Sequence, residues 1–493
     1  MQSGRGAVPL DELIAACSPN SALASGWAEV SDAWLGRAVL EHGVAALLLI
    51  ALVSTLAQFP GLLSSRGLMP IEPFVRRSRF RDRPSIFDLH YSDRFFRVLC
   101  WVGIALSAVT VAGVTAGLPA WGHVCVWLAM WAIYLSIVNV GQRWYGFLWE
   151  MLLCEAVFIC AFIGPAAEAP SVFVVAALIW LLIRVELGAG LIKIRGGVEW
   201  RNLTALDFHH ETQPMPGPLS WYFHHLPKVL HRVETGANHV VQLVVPFLLF
   251  APQPVRSYAA LAMAATQCWL LLSGNFAWVN LLTICLCLGL VADSAVGLET
   301  WRPELAPQPA WWLVVVIAFA AASLALAWQP LRNLFSRDQK MNARYNPLLL
   351  GSSYGAFGTV GKQRREVIIE GCTDTGEPWL EYEFYGKPGD VARRPPQIAP
   401  YHLRLGWQLW FAALSPHFRG AWLDRLVVGL LRGAPVLRKM CRVDPFGDDP
   451  PRWIRVVLYD YRFSTWAERR EDGAWWVRSN RRELSPPRRL ANR

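Results

Sequence analysis

Glu186–Phe247 reads ELGAGLIKIRGGVEWRNLTALDFHHETQPMPGPLSWYFHHLPKVLHRVETGANHVVQLVVPF. It begins at the end of one apolar run and finishes inside another, so it is a long polar loop between two hydrophobic segments. Six of the 11 histidines stand in it (His209, His210, His224, His225, His231, His239), with Glu199, Asp207, Glu211 and Glu234 among them. Pro214, Pro216 and Pro218 can neither continue a helix nor complete a sheet ladder, so irregular backbone is expected in the middle. Such backbone stays ordered only if the rest of the molecule holds it, and ordered polar loops on rigid scaffolds are where function concentrates.

Working outward, the flanking apolar runs set the fold class. They fall at Ala38–Phe59, Val98–Leu118, Trp121–Val140, Tyr145–Ile163, Ser171–Ile192, Asn238–Phe250, Ser257–Ser273, Ala277–Ala292 and Trp311–Trp328. A helix crossing hydrocarbon needs about 20 residues. The first five runs and the ninth meet this; the sixth to eighth are short or tightly joined, and two of the nine could be re-entrant or interfacial. The expectation is an α-helical polytopic membrane protein of about nine spans, with 38–328 as the membrane domain and 1–37 as a polar N-terminal segment. Composition agrees: 54% of residues are hydrophobic and only 17% charged, and 25 tryptophans suit membrane–water interfaces. The His-rich loop is taken as 193–237. A first loop, 60–97, holds eight arginines, including Arg76, Arg77, Arg79, Arg81 and Arg83.

From Gln329 the character changes. The chain before it carries net charge −1 and the remainder +11. Anionic lipid headgroups explain a basic tail more simply than nucleic acid, for which no recognition motif is present. REVIIEGC and PWLEYEFYG read as strands paired around Thr373–Glu377; IRVVLYDYRFST and GAWWVRSN read as a second pair around Glu471–Gly473. Between them, 401–432 shows two amphipathic helical patterns, a hairpin that lies against the membrane surface or packs on the sheet. Thus 329–493 is expected to be a soluble β-rich domain. Seven of the ten cysteines lie in apolar runs as small hydrophobes. Cys372 and Cys441, in the tail, can form a disulfide only if the fold brings them within reach. No removable signal peptide is apparent in the first 37 residues.

The segment WRNLTALDFHHETQPMPGPLSWYFHHLPKVLHRVETGANH resembles the signature of the lipase maturation factor family, polytopic membrane proteins that assist folding of secreted lipases. Trp200, Arg201, Leu203, Thr204, Asp207, His209, Glu211–Pro216 (with Gln213 and Pro214), Pro218, His224, Pro227, His231, Glu234, Asn238 and His239 stand where that pattern has them. The likeness continues in SGNFAWVNLLT (Ser273–Thr283), LEYEFYGKPGD (Leu380–Asp390), RRPPQIAPYHLRLGWQLWFAAL and YRFSTWAERREDGAWW. It implies a maturation factor with secreted clients and membrane lipids as partners, no cofactor and no nucleic acid. The loop and the tail domain, on one side of the membrane, would together hold an incompletely folded client. It also implies an endoplasmic reticulum membrane in a eukaryote, or the cytoplasmic (inner) membrane in a bacterium. With nine spans, the first loop, the His-rich loop and the tail share one face. The positive-inside rule puts that face in the cytoplasm, whereas the resemblance puts it in the lumen, where clients fold.

Candidate chemistry is limited. The histidine spacings match no standard zinc pattern, so no metal is expected; the polar side chains are better employed satisfying the QPMPGP backbone. His231 and Glu234, one turn apart, could pair. Glu150, Glu155, Arg184, Glu186 and Asn280 lie inside apolar runs and suggest an intramembrane polar network, with Arg184 paired to Glu150 or Glu155. AGLIKIRGGVEW (Ala189–Trp200) more weakly resembles the vitamin K-dependent carboxylase group, whose base lysine falls on Lys193. The alternative function is therefore a membrane enzyme using Lys193 as base, against a lysine that merely snorkels to the interface. Asn202 begins the only glycosylation sequon.

Overall fold

The computed structural model describes residues 32–301, 303–306, 308–374 and 378–490. The N-terminal polar segment expected at 1–37 therefore lies mostly outside the described residues, as does part of the turn at Thr373–Glu377. The chain is a bundle of helices followed by a C-terminal antiparallel sheet. In chain order the main helices are α1 (Trp34–Leu62), α2 (Asp93–Val111), α3 (Ala120–Val140), α4 (Leu148–Cys160), α5 (Val172–Arg195), α6 (Leu206–Thr212) and α7 (Ser220–His224). There follow α8 (Lys228–Leu243), α9 (Val255–Ser273), α10 (Val279–Leu288) and α11 (Ala310–Phe335).

Six segments among the described residues are long and apolar enough to cross a membrane: α1, α2, α3, α5, Lys228–Phe250 and α11. The protein is an integral membrane protein, but nine spans are not established. The fourth run yields a helix of only 13 residues, Leu148–Cys160, which starts after a 3-10 turn at Gln142–Tyr145 and stops three residues short of the run's end. The eighth yields one of 10, and α9 lacks the apolar character of the six. Conversely, the sixth run is longer than expected, since its helix starts at Lys228 just after Pro227 and not at Asn238.

That helix is patterned inside out. His231, Thr235, Asn238 and Gln242, spaced by four, three and four residues, are buried, while Val229, Val233, Val240 and Val244 are exposed. Polar groups inward and aliphatic groups outward is the arrangement lipid demands of a helix that also lines a polar interior.

The tail forms a five-stranded sheet in the order β3-β2-β1-β4-β5, every neighbouring pair antiparallel. Its strands are β1 (Arg364–Cys372), β2 (Leu380–Phe384), β3 (Cys441–Val443), β4 (Trp453–Phe463) and β5 (Trp476–Arg488). The 401–432 hairpin is α12 (Arg404–Leu414) and α13 (Gly420–Leu431). It packs on the sheet through α12 and β1 and also touches the bundle: the Trp407 ring centroid lies 4.8 Å from Trp149, and Trp422 lies 5.6 Å from Trp144. Between β4 and β5 runs not a tight turn but α14 (Trp466–Asp472). Thr465 and Glu468 form its capping box, and Gly473 ends it at φ 68, a left-handed position that glycine adopts without strain. Cys372 and Cys441 lie on strands separated by β2 and at opposite ends of the ladder, too far apart for a disulfide.

Tail and bundle are joined in the linker as well. Pro330 has no N–H, so the Leu326 carbonyl one turn earlier loses its helical donor. Gly351, at φ 61, packs so closely there that a Cβ would stand 2.8 Å from that oxygen. From this position its own N–H reaches Glu155 at 3.1 Å.

Candidate functional site

The expected loop is largely helical: a short helix at Val198–Arg201, α6, α7 and the first turns of α8 take more than half of it, and the longest irregular stretch is the one around QPMPGP. The carbonyls of that turn are satisfied from three directions. Arg364, the first residue of β1 and fully buried, donates its guanidinium to the carbonyls of Glu211 (2.9 Å), Gln213 and Pro214 (3.2 Å). Asn275 donates to Pro216 O at 3.2 Å, and its backbone N–H to Met215 O at 3.0 Å. Gln213 turns back onto His210 O and Ser273 O, and Ser220 Oγ accepts from Gly217 N at 2.7 Å. Arg364 is balanced by Glu366, which also pairs with buried Lys387. Burial pushes the Lys387 ammonium down to about 8, against the pull of Glu366.

The histidines are spent on structure. His231 joins Asp207 (3.0 Å) and the Phe223 carbonyl (2.9 Å), so it pairs across to α6 and not with Glu234. His239 bonds the Trp200 carbonyl at 3.0 Å, and Trp200 Nε1 donates to Phe357 O at 2.7 Å. His209 sits among Trp200, Phe276 and Phe357, where burial and then the Lys193 charge push its imidazole down to about 3. His224 faces Glu211 at 3.6 Å and is pushed down to about 4, chiefly by burial. Burial pushes the Glu211 carboxyl up, while one of its oxygens accepts the Phe463 N–H at 2.7 Å and ties the loop to β4. Among the described residues no three His, Cys, Asp or Glu side chains group as a metal site. Asn202 is exposed.

The polar groups inside the bundle form three separate clusters. Arg184 pairs with Glu155, which also accepts from Tyr354 at 2.7 Å. Glu150 finds its cation in the tail: Arg404 at 3.0 Å, beside His402 at 3.3 Å and Tyr134. Glu186 accepts from Gln267 (2.6 Å) and Gln242 (3.2 Å); Gln242 in turn accepts from Lys193 (2.9 Å), and Gln267 from Asn280 (2.8 Å). Lys193 also donates to Asn238 at 2.8 Å, with the Trp200 ring 4.8 Å from its nitrogen. Arg364, Arg404, His402 and Asn275 were not singled out from sequence, although the last three lie inside the motifs quoted above.

The outer side of the same junction is aromatic. Tyr222 and Trp466 are 39% and 48% exposed, their rings 6.1 Å apart, one from the loop and one from the tail. Buried Trp221 and Trp475 back them, with Arg394 over Trp475 (5.2 Å) and Arg469 over Trp221 (5.1 Å).

Residues 35–298 match the family model described as lipase maturation factor transmembrane domain, and 350–486 that of the lipase maturation factor C-terminal domain. The chain belongs to the lipase maturation factor family. It is 34% identical to lipase maturation factor 1 of Mus musculus over 93% of this chain and 88% of that protein. It is 35% identical to the Homo sapiens factor 1 (92% and 88%) and 27% identical to the Homo sapiens lipase maturation factor 2 (92% and 82%). No solved structure matches. The His-rich loop lies in the first match, the second begins beside Gly351, and α11 lies between the two. These matches lend no support to a carboxylase-like enzyme, and Lys193 is already engaged by two amide carbonyls.

Proposed function

We propose that this protein is a membrane-embedded maturation factor for secreted proteins, lipases in particular, and that it holds an incompletely folded client at the junction of loop and tail. The membrane would be the endoplasmic reticulum in a eukaryote or the cytoplasmic membrane in a bacterium. The relatives' names support the role. The observation that carries the site is the Tyr222–Trp466 patch: exposed aromatics beside arginines, on a base made rigid by Arg364 and Glu211. Tyr, Trp and Arg are the side chains that dominate protein–protein binding energy. The client would therefore touch Tyr222, Trp466 and Arg394, while the motif residues Trp200, Asp207, His209, Gln213, Pro214, Pro216, His224, His231, Asn238 and His239 shape the base. The test is pull-down of a newly made secreted lipase by the solubilised full chain. The double variant Tyr222→Ser/Trp466→Ser should lose at least about tenfold in captured lipase, equivalent to ~1.4 kcal/mol. Unchanged capture would remove the patch from the account.

A further inference from the structure

Between α5, α8, α9 and α12 lies a cavity of about 1050 Å³ that the proposed client contacts Tyr222, Trp466 and Arg394 do not line. Its wall is mainly apolar, with Val185, Leu270, Phe276, Phe357, Trp407 and Phe411 among the lining residues. Small-molecule sites run to roughly 300–1,000 Å³, so this one is large enough for acyl chains. Leu230, Val233 and Trp269, which also line it, are 48%, 62% and 44% exposed and mark a mouth between α8 and α9. On a membrane helix such aliphatic exposure faces lipid, so the mouth opens sideways to the bilayer.

One wall is polar, and its hydrogen-bond directions can be worked out. A carboxylate only accepts, so Glu186 must receive amide N–H groups from both Gln242 and Gln267. The Gln242 oxygen then faces Lys193, and the Gln267 oxygen takes the Asn280 N–H. With Lys193 as ammonium and Glu186 as carboxylate, the relay is balanced in charge. Two capacities are left at opposite ends. Lys193 has three N–H donors and gives two, to Asn238 and Gln242. Asn280 Oδ1 is buried with no hydrogen-bond partner among the described residues. Lys193, Gln242, Gln267 and Asn280 all line the cavity.

From this wall we infer that the cavity binds an uncharged glycerolipid from the bilayer, of the mono- or diacylglycerol class. Its ester carbonyl accepts from Lys193, its free hydroxyl donates to Asn280, and its acyl chains lie against the aromatic wall. A second buried charge would need its own partner, and the relay has none to spare, so a fatty acid or phosphatidate head fits less well.

The test uses the full chain in phosphatidylcholine nanodiscs doped with a diacylglycerol that bears a photoreactive acyl chain. The expected result is crosslinking concentrated on peptides of α8, α9 and α12, displaced by unlabelled diacylglycerol. Ala189→Phe, one turn from Lys193 and on the cavity wall, should reduce that labelling by about tenfold. Val233→Trp, placed at the exposed mouth, should do the same if Ala189→Phe fails to fold. Labelling spread over all lipid-facing helices and unchanged in a folded blocking variant would overturn the site. Displacement by fatty acid or phosphatidic acid but not by diacylglycerol would overturn the uncharged head. Displacement only by an apolar peptide would assign the cavity to polypeptide instead. Client capture is read separately, so neither result depends on the other.

Discussion

Arg404 is fully buried, held by Glu150 at 3.0 Å and Ser54 Oγ at 3.0 Å, with the Tyr145 ring 4.1 Å away. Removing one member of a buried ion pair strands the other charge, at about 3–5 kcal/mol, whereas replacing both is often nearly neutral. Arg404→Leu should therefore lower the unfolding temperature of the micelle-solubilised protein sharply, and Arg404→Leu/Glu150→Gln should restore most of it. Equal losses in the single and double variants would mean that the pair does not couple. This pairing shows what is legible at single-residue scale. From sequence Arg184 could be matched to Glu150 or Glu155, because all three stand inside apolar runs where a charge must find a partner, and the fold selects Glu155. Arg404 gave no such signal, since it sits on an amphipathic helix some 250 residues from Glu150.

At the scale of elements, α6, α7 and the α12 edge are held by imidazoles that stay neutral. His209, His224 and His402 are pushed down to about 3, about 4 and about 4, and His210 lies well below its ordinary value, burial being the main cause in each. As pH falls below about 6.5, the unfolded chain takes up protons that the folded chain refuses, so stability is lost between about pH 6.5 and about pH 4. Glu211, Asp88 and Glu168, whose carboxyls burial pushes up, act in the opposite sense but are three groups against four. The unfolding temperature should be lower at about pH 5 than at about pH 7.5, and Glu211→Gln should steepen that fall; a flat profile would contradict the buried neutral histidines. Phe384 on β2 is 5% exposed and shares its core with Met215 of the QPMPGP turn. Phe384→Ala, costing about 3–5 kcal/mol, should expose both the tail and this turn to protease, because the two share one core. The β1–β2 and β4–β5 pairings follow from period-two patterns in the sequence. The helical start of α8 does not, because a helix with its polar side buried and its aliphatic side in lipid reads as a loop when apolar runs are the guide.

For the whole molecule, contacts gather the first loop, the His-rich loop and the tail at one end of the bundle. Arg425 donates to Leu68 O at 2.9 Å, Arg344 to Asp82 O at 2.9 Å, and Arg364 to the QPMPGP turn. Reporter fusions inserted at Gly217 and after Arg493 should therefore report the same side of the membrane, and opposite sides would contradict this arrangement. The tail is a C-terminal β-rich domain, and the buried Arg404–Glu150 and Arg364–carbonyl links also make it a cap on the bundle, a relation carried by contacts between residues too distant in sequence to be read from either alone. On the proposed function, this cap and loop together mature a secreted client. The most direct measurement is the yield of active secreted lipase, per lipase synthesised, in cells that lack their own maturation factor and receive this chain or its Tyr222→Ser/Trp466→Ser variant at equal membrane abundance. The natural chain should restore active lipase and the variant should not; no restoration by the natural chain, or equal restoration by both, would contradict client maturation at this site.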